Sequence, residues 1–333
     1  MCFGAGLCSE IQKYYFDMER ENQTTITEFI LVGFSEVLQL QYFLFVVFLI
    51  IFKISLLAHM FIIFLYRLSP NLHTPMYFFL ANFSFLEICY LSNIIPKMLI
   101  NLLHHHKTIT FNGCAIQMFC FLLLGSAECN MLAFMAYDRY NAICHPLHYS
   151  NIMRRAVCIR LVFSCWFIGT TVGVLQTNLI FSLPFCGSNR INNFYCDVPP
   201  LLSLACKNTK IIEITALIIT FIVVIVPFLL TVISYANIIW TIIKHHSAGR
   251  RIKAFSTCTS HLIVVSMYYG SAIIMYSRPK SSYGMDGEKF LSLIYTIIAP
   301  FINPFIYSLR NNDVKNAFKQ VVCQIKIDKP ENN

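Results

Sequence analysis

Asp138 and Arg139 are adjacent opposite charges in an otherwise apolar stretch, Met135-Ala136-Tyr137-Asp138-Arg139-Tyr140. Such a pair can form a local ion pair that a binding partner breaks, or the arginine simply snorkels to an interface. Glu87 and Glu128 stand alone among apolar residues. A carboxylate so placed must be protonated, paired or bound to a cation. Of the 14 cysteines, Cys186, Cys196 and Cys206 share one long connection and Cys114 opens an apolar run. On an oxidising face these four would pair in one of three ways, and the sequence leaves all three open. Cys89, Cys120, Cys129, Cys165 and Cys258 read as buried thiols. His104-His105-His106 reads as a solvated loop, because consecutive positions point in different directions and make a poor metal cage. There is no His-Glu-x-x-His, no paired aspartates and no Gly-x-Ser-x-Gly, the constellations an intramembrane enzyme would need. The chain is read as a non-enzyme.

Long apolar elements must position these groups. The 333 residues are 57% hydrophobic and only 12% charged, against about 25% charged in a soluble domain. The apolar residues gather into seven runs, about 42–66, 75–99, 114–140, 157–180, 211–243, 254–276 and 289–308. Each approaches the ~20 residues that cross a bilayer core. The predicted fold is therefore an all-α membrane protein, a seven-helix bundle. Its parts are an extracellular segment 1–41, a transmembrane domain 42–310, and a cytoplasmic helix and tail 311–333. At ~1.5 Å per residue, Cys114 and Arg139 lie about 38 Å apart along one helix, which takes them from face to face.

Orientation follows from the basic residues. With the amino terminus outside, Arg67, Arg154, Arg155, Lys244, Arg250, Arg251, Lys253, Arg310, Lys315 and Lys319 face the cytoplasm. The net charge of +9 is then a matter of topology and of contact with membrane lipid, with nothing pointing to nucleic acid. The sequon Asn22-Gln23-Thr24 is usable only on a lumenal amino terminus, which agrees. Residues 1–17 do not look like a cleaved signal, and translation from Met18 is expected to suffice.

Four strings now point the same way. They are Leu72-His73-Thr74-Pro75-Met76-Tyr77, the Asp138-Arg139-Tyr140 run continuing to Pro146-Leu147, Lys253-Ala254-Phe255-Ser256-Thr257-Cys258-Thr259-Ser260-His261, and Pro300-Phe301-Ile302-Asn303-Pro304-Phe305-Ile306-Tyr307. In this order they resemble the motifs of olfactory receptors, within the rhodopsin-like G-protein-coupled receptors. The resemblance implies disulfides Cys114–Cys196 and Cys186–Cys206, and a short amphipathic helix after the seventh span. It implies an odorant receptor of the cell membrane that couples to a stimulatory olfactory-type G protein and raises cyclic AMP. Asp138, Arg139, Tyr140, Tyr235, Lys253, His261, Asn303, Pro304 and Tyr307 would carry coupling and activation. The family's acids at Glu87 and Glu128 imply a sodium ion as allosteric modulator, with no other cofactor. Where the family has Gly-Asn on the first span, Ala58-His59 stands here, and His59 is expected to approach Glu87 and perturb that ion. Lys53, deep in the same span, is either a partner for a buried acid or a costly departure.

For the ligand, helix spacing places Phe121, Leu122, Gly125, Ser126 and Cys129 on one face of the outer third span. Thr220, Tyr269, Ile273 and Tyr276 are expected to face them from the fifth and sixth spans. No acid stands near Phe121 to hold an amine, so a small, mostly apolar volatile is expected. A polytopic transporter or channel is the alternative, but it would not account for the ordered strings or the cysteine-rich loop.

Overall fold

Backbone groups in hydrocarbon must bond within their own segment, so long apolar runs become helices. The computed structural model describes residues 26–34, 37–104, 106–185, 188–206, 209–245, 248–276, 285–309 and 314–320. Six of the spans are the helices Leu38–Leu68, Pro75–Leu103, Phe111–Cys144, Arg155–Phe181, Lys210–His245 and Ala248–Tyr276. The seventh is compound: Met285–Leu293, a π-helical turn over Ile294–Ile298, then Ala299–Leu309. Every helix overruns its predicted span at one or both ends.

Among the described residues, six helices are long and apolar enough to cross a bilayer by length and composition. The helix outside that set is the sixth span, Ala248–Tyr276, whose first turns hold Arg250, Arg251 and Lys253. It nonetheless packs on the third, fifth and seventh spans and completes the bundle.

The third span is the axis, packing on the second, fourth, fifth and sixth. Its most apolar stretch is 61% buried inside the bundle, against 17% for the fifth span. The fifth span accordingly presents Leu217, Phe221, Leu229 and Ile233 outward, where lipid would lie. Gly169 lets the fourth span close on the third: a Cβ there would sit 2.4 Å from the Leu123 carbonyl oxygen. Small residues are how membrane helices approach this closely.

Lys53 is exposed on the outside of the first span, so it is no partner for the buried acids. After the seventh span, residues 314–320 are helical, with Val314 and Ala317 buried and the rest exposed.

A small sheet covers the outer end, which helix periodicity could not show. Strand β1 (Glu28–Leu31) pairs antiparallel with β2 (Thr108–Thr110) and parallel with β3 (Arg190–Ile191). Phe29 on β1 is fully buried against Phe111 and Phe185. Thr110 ends β2 and starts the third span, its hydroxyl accepting from Gly113 N at 3.1 Å as a helix cap. His104 and His106 are exposed in the same turn, and His105 lies outside the described residues.

Candidate functional site

A cavity of about 570 Å³ of empty space, counted out to its open mouth, lies in the outer half of the bundle. Phe121, Leu122, Gly125, Ser126 and Cys129 line it from the third span and Thr220 from the fifth, as the spacing placed them. The sixth span differs. Tyr269 is fully buried outside the lining, its hydroxyl donating to the Cys129 carbonyl at 2.8 Å. Its neighbour Tyr268 lines the cavity instead and donates to the Gly125 carbonyl at 2.8 Å. One helical position is a turn of about 100°, and tertiary packing chose between two adjacent tyrosines that look alike in sequence. Ile273 packs on the core without lining the cavity, and the Tyr276 side chain lies outside the described residues.

Other walls went unforeseen: Tyr90 on the second span, Val172 and Gln176 on the fourth, Val223 and Val224 on the fifth, Tyr295 on the seventh. Gln176 carried a legible signal, an amide inside an apolar run. The apolar ones carried none.

The outer lid is pinned covalently by Cys114–Cys196. Cys196 N also donates to Gln117 Oε1 at 3.0 Å. Tyr195 follows this anchor down, its ring 5.0 Å from that of Phe121. Its hydroxyl donates to Asp197 Oδ2 at 3.0 Å, which makes the Tyr295 hydroxyl the donor in the Tyr195–Tyr295 bond. Cys206 is disulfide-bonded too; Cys186, the partner expected for it, lies outside the described residues. The chain on either side agrees, since Phe185 bridges Ala205 and Cys206 N donates to Pro184 O at 3.0 Å. Asn22 also lies outside the described residues.

Below the cavity is a fully buried polar layer. Asn303 donates to Glu87 Oε1 at 2.6 Å. Glu87 Oε2, both oxygens of Glu128, Ser84 Oγ and Asn303 Oδ1 have no hydrogen-bond partner among the described residues. Oxygens in this condition fit a hard monovalent cation such as sodium.

His59 shares that condition at one atom, its buried Nδ1. It forms no ion pair with Glu87; its Nε2 donates to the Pro300 carbonyl at 3.1 Å. The reason lies in the seventh span. Pro304 has no N–H for the carbonyl four residues before it, so Pro300 O lacks its helical donor and takes one from the first span.

At the inner end Asp138 is fully buried. It accepts from Arg139 at 2.5 Å (Nη2) and 3.1 Å (Nε) on one oxygen, and from the Tyr149 hydroxyl at 2.8 Å on the other. Tyr149, on the short helix Tyr149–Ile152 after the third span, was not anticipated. Burial, then the Asp138 charge, push its hydroxyl's pKa up, so it stays a proton donor. Tyr140 turns aside to bond His145 Nε2 at 3.0 Å.

Tyr235 on the fifth span and His261 on the sixth meet at 2.7 Å, hydroxyl to Nδ1, with stacked rings. Tyr307 is buried edge-on to Phe83, its hydroxyl without a hydrogen-bond partner among the described residues. The Lys253 side chain lies outside those residues. The arrangement is a closed one: an apolar cavity outside, an uncommitted buried polar layer in the middle, and a tied ion pair at the inner face.

Comparisons with known proteins agree with this architecture. A family model described as olfactory receptor matches residues 48–325. Human olfactory receptor 10A7 is 47% identical over 309 residues, covering 93% of this chain and 98% of its own length. Mouse olfactory receptor 5AR1 is 47% identical over 305 residues, covering 92% and 98%. Human olfactory receptor 10A2 is 50% identical over 286 residues, covering 86% and 94%.

Proposed function

This chain belongs to the olfactory receptor family, and from that premise we propose that it binds a small, mostly apolar volatile in the outer cavity and activates a stimulatory olfactory-type G protein, raising cyclic AMP. It is a multi-pass membrane receptor rather than an enzyme. One observation carries the reading: a single helix, the third span, both lines the cavity from Phe121 to Cys129 and holds the Asp138–Arg139 pair at its other end. Ligand-driven movement of that helix against the fifth and sixth would load both the Arg139 tie and the Tyr235–His261 contact.

A ligand can favour the open state only through contacts it makes better there. The cavity walls that bridge elements, Tyr268 to Gly125 between two spans and Tyr295 to Tyr195 between the seventh span and the outer loop, are where such contacts would differ. Opening at the inner face would free Arg139 for the G protein.

The middle layer supports a sodium ion as modulator, held by Glu87 and Glu128 with Ser84 and Asn303 beside them. When bound it would supply the positive charge that two buried carboxylates otherwise lack. Of the protein's own residues there, Asn303 ties the seventh span to Glu87 on the second.

The test is a broad odorant panel on cells expressing the full chain, with surface level measured alongside. Dose-dependent cyclic AMP that disappears in Arg139→Ala at equal surface level is the expected result. Ion flux or substrate uptake without cyclic AMP would refute the reading in favour of a channel or transporter.

A further inference from the structure

The cavity carries no charged side chain among the residues that line it, which leaves hydrogen bonding to decide which head group it accepts. Three of its hydroxyls already donate to the protein, which leaves the Thr220 hydroxyl and the Gln176 amide as its other hydrogen-bonding groups on the fourth and fifth spans. The Ser126 hydroxyl donates to Leu122 O at 2.6 Å, Tyr268 to Gly125 O at 2.8 Å, and Tyr295 to Tyr195. Each of those oxygens keeps lone pairs that can still accept.

Gln176 brings the acceptor among them that is buried and unmet. It is 2% exposed on the fourth span, lines the cavity, and its Oε1 has no hydrogen-bond partner among the described residues. A buried carbonyl oxygen without a donor is costly, and a ligand that supplies one recovers that cost on binding. The close approach of the fourth and third spans at Gly169, two turns before Gln176, brings this amide to the Phe121–Cys129 face.

Resting on the receptor reading above, we propose that Gln176 is the head-group anchor of the cavity and that its ligands are neutral alcohols: an apolar body bearing one hydroxyl that donates to Gln176 Oε1. An ether, ketone or aldehyde of the same skeleton can accept from the Gln176 amide N–H or the Thr220 hydroxyl but leaves Oε1 unpaired, so the alcohol keeps the advantage of that one bond. A carboxylate meets no cation, and an ammonium meets no acid on these walls.

The experiment uses the full-length receptor purified in detergent, with ligand-dependent thermal stabilisation as a readout independent of signalling. The probes are hexanol, octanol, cyclohexylmethanol and phenylethanol, each beside its methyl ether and its aldehyde. In the wild type at least one alcohol should stabilise at a concentration about tenfold below its ether, the discrimination one buried hydrogen bond supplies. In Gln176→Met, which keeps the length and loses the amide, that ratio should fall to about one. Gln176→Asn, which withdraws the amide by one methylene, should also lower it and serves if the Met variant does not fold. Ethers or aldehydes that bind as well as the alcohols, a ratio that survives in the Met or Asn variant, or no binding by any probe would each overturn the assignment. Alcohols that bind with the expected ratio yet raise no cyclic AMP in cells would leave Gln176 standing and overturn the signalling reading.

Discussion

Replacing His59 should expose a debt left by Pro304. The Pro300 carbonyl lacks its helical donor because Pro304 has no N–H, and His59 Nε2 supplies the bond at 3.1 Å from a neighbouring span. His59→Leu removes the donor; His59→Gln keeps an amide N–H at the reach of the imidazole Nε2. Both lose the ring, so the packing loss is similar and the difference between them isolates the hydrogen bond. An orphaned acceptor in a water-soluble core costs about 1–3 kcal/mol. Hydrogen bonds between membrane helices measure lower, averaging about 0.6 and reaching about 1.7 kcal/mol, because the unfolded chain in lipid finds other partners. The site is buried, with His59 only 1% exposed, and the carbonyl has no helical donor, so the upper half of that range applies. The Leu variant should be about 1–1.7 kcal/mol less stable than the Gln variant, read as a lower temperature of half-inactivation of purified receptor and a lower surface level. Equal stability of the two variants would refute the argument that this carbonyl depends on its cross-span donor.

Other expectations follow from single contacts. Gly169→Ala places a Cβ 2.4 Å from the Leu123 carbonyl, and overpacking of this kind costs about 1–3 kcal/mol; surface expression and thermal stability should both fall, whereas unchanged values would mean the fourth span can shift. Tyr149→Phe removes the bond to Asp138 at 2.8 Å and should raise basal cyclic AMP per surface receptor, while a fall or no change would separate Tyr149 from the ion pair. Tyr268→Phe should alter the concentration dependence of odorant responses, and Tyr269→Phe should cost about 1 kcal/mol of stability with that dependence kept; the reverse pattern would place the wrong tyrosine at the cavity. Cys114→Ser and Cys196→Ser should each lower surface level to the extent the double variant does, and additive losses would contradict their bond.

The sequence alone determined the class of fold, the order and approximate ends of the helices, and the family, because a bilayer demands apolar runs of one minimum length and the motif strings sit at their ends. It also placed Phe121, Leu122, Gly125, Ser126 and Cys129 on one face, since a single helix has a fixed period. What it could not determine lay between helices. Whether Tyr268 or Tyr269 met the cavity depended on the rotation of the sixth span, and that rotation is set by packing against the third. Lys53 and His59 looked alike as polar residues in the first span; their outward and inward positions followed from how that helix rolls on the second and seventh. The strand pairing of Glu28–Leu31 joined segments far apart in the chain, which no local pattern encodes. His59 turned from Glu87 to Pro300 because a proline on another span had left a carbonyl without its donor, and only folding brings that vacancy beside an imidazole.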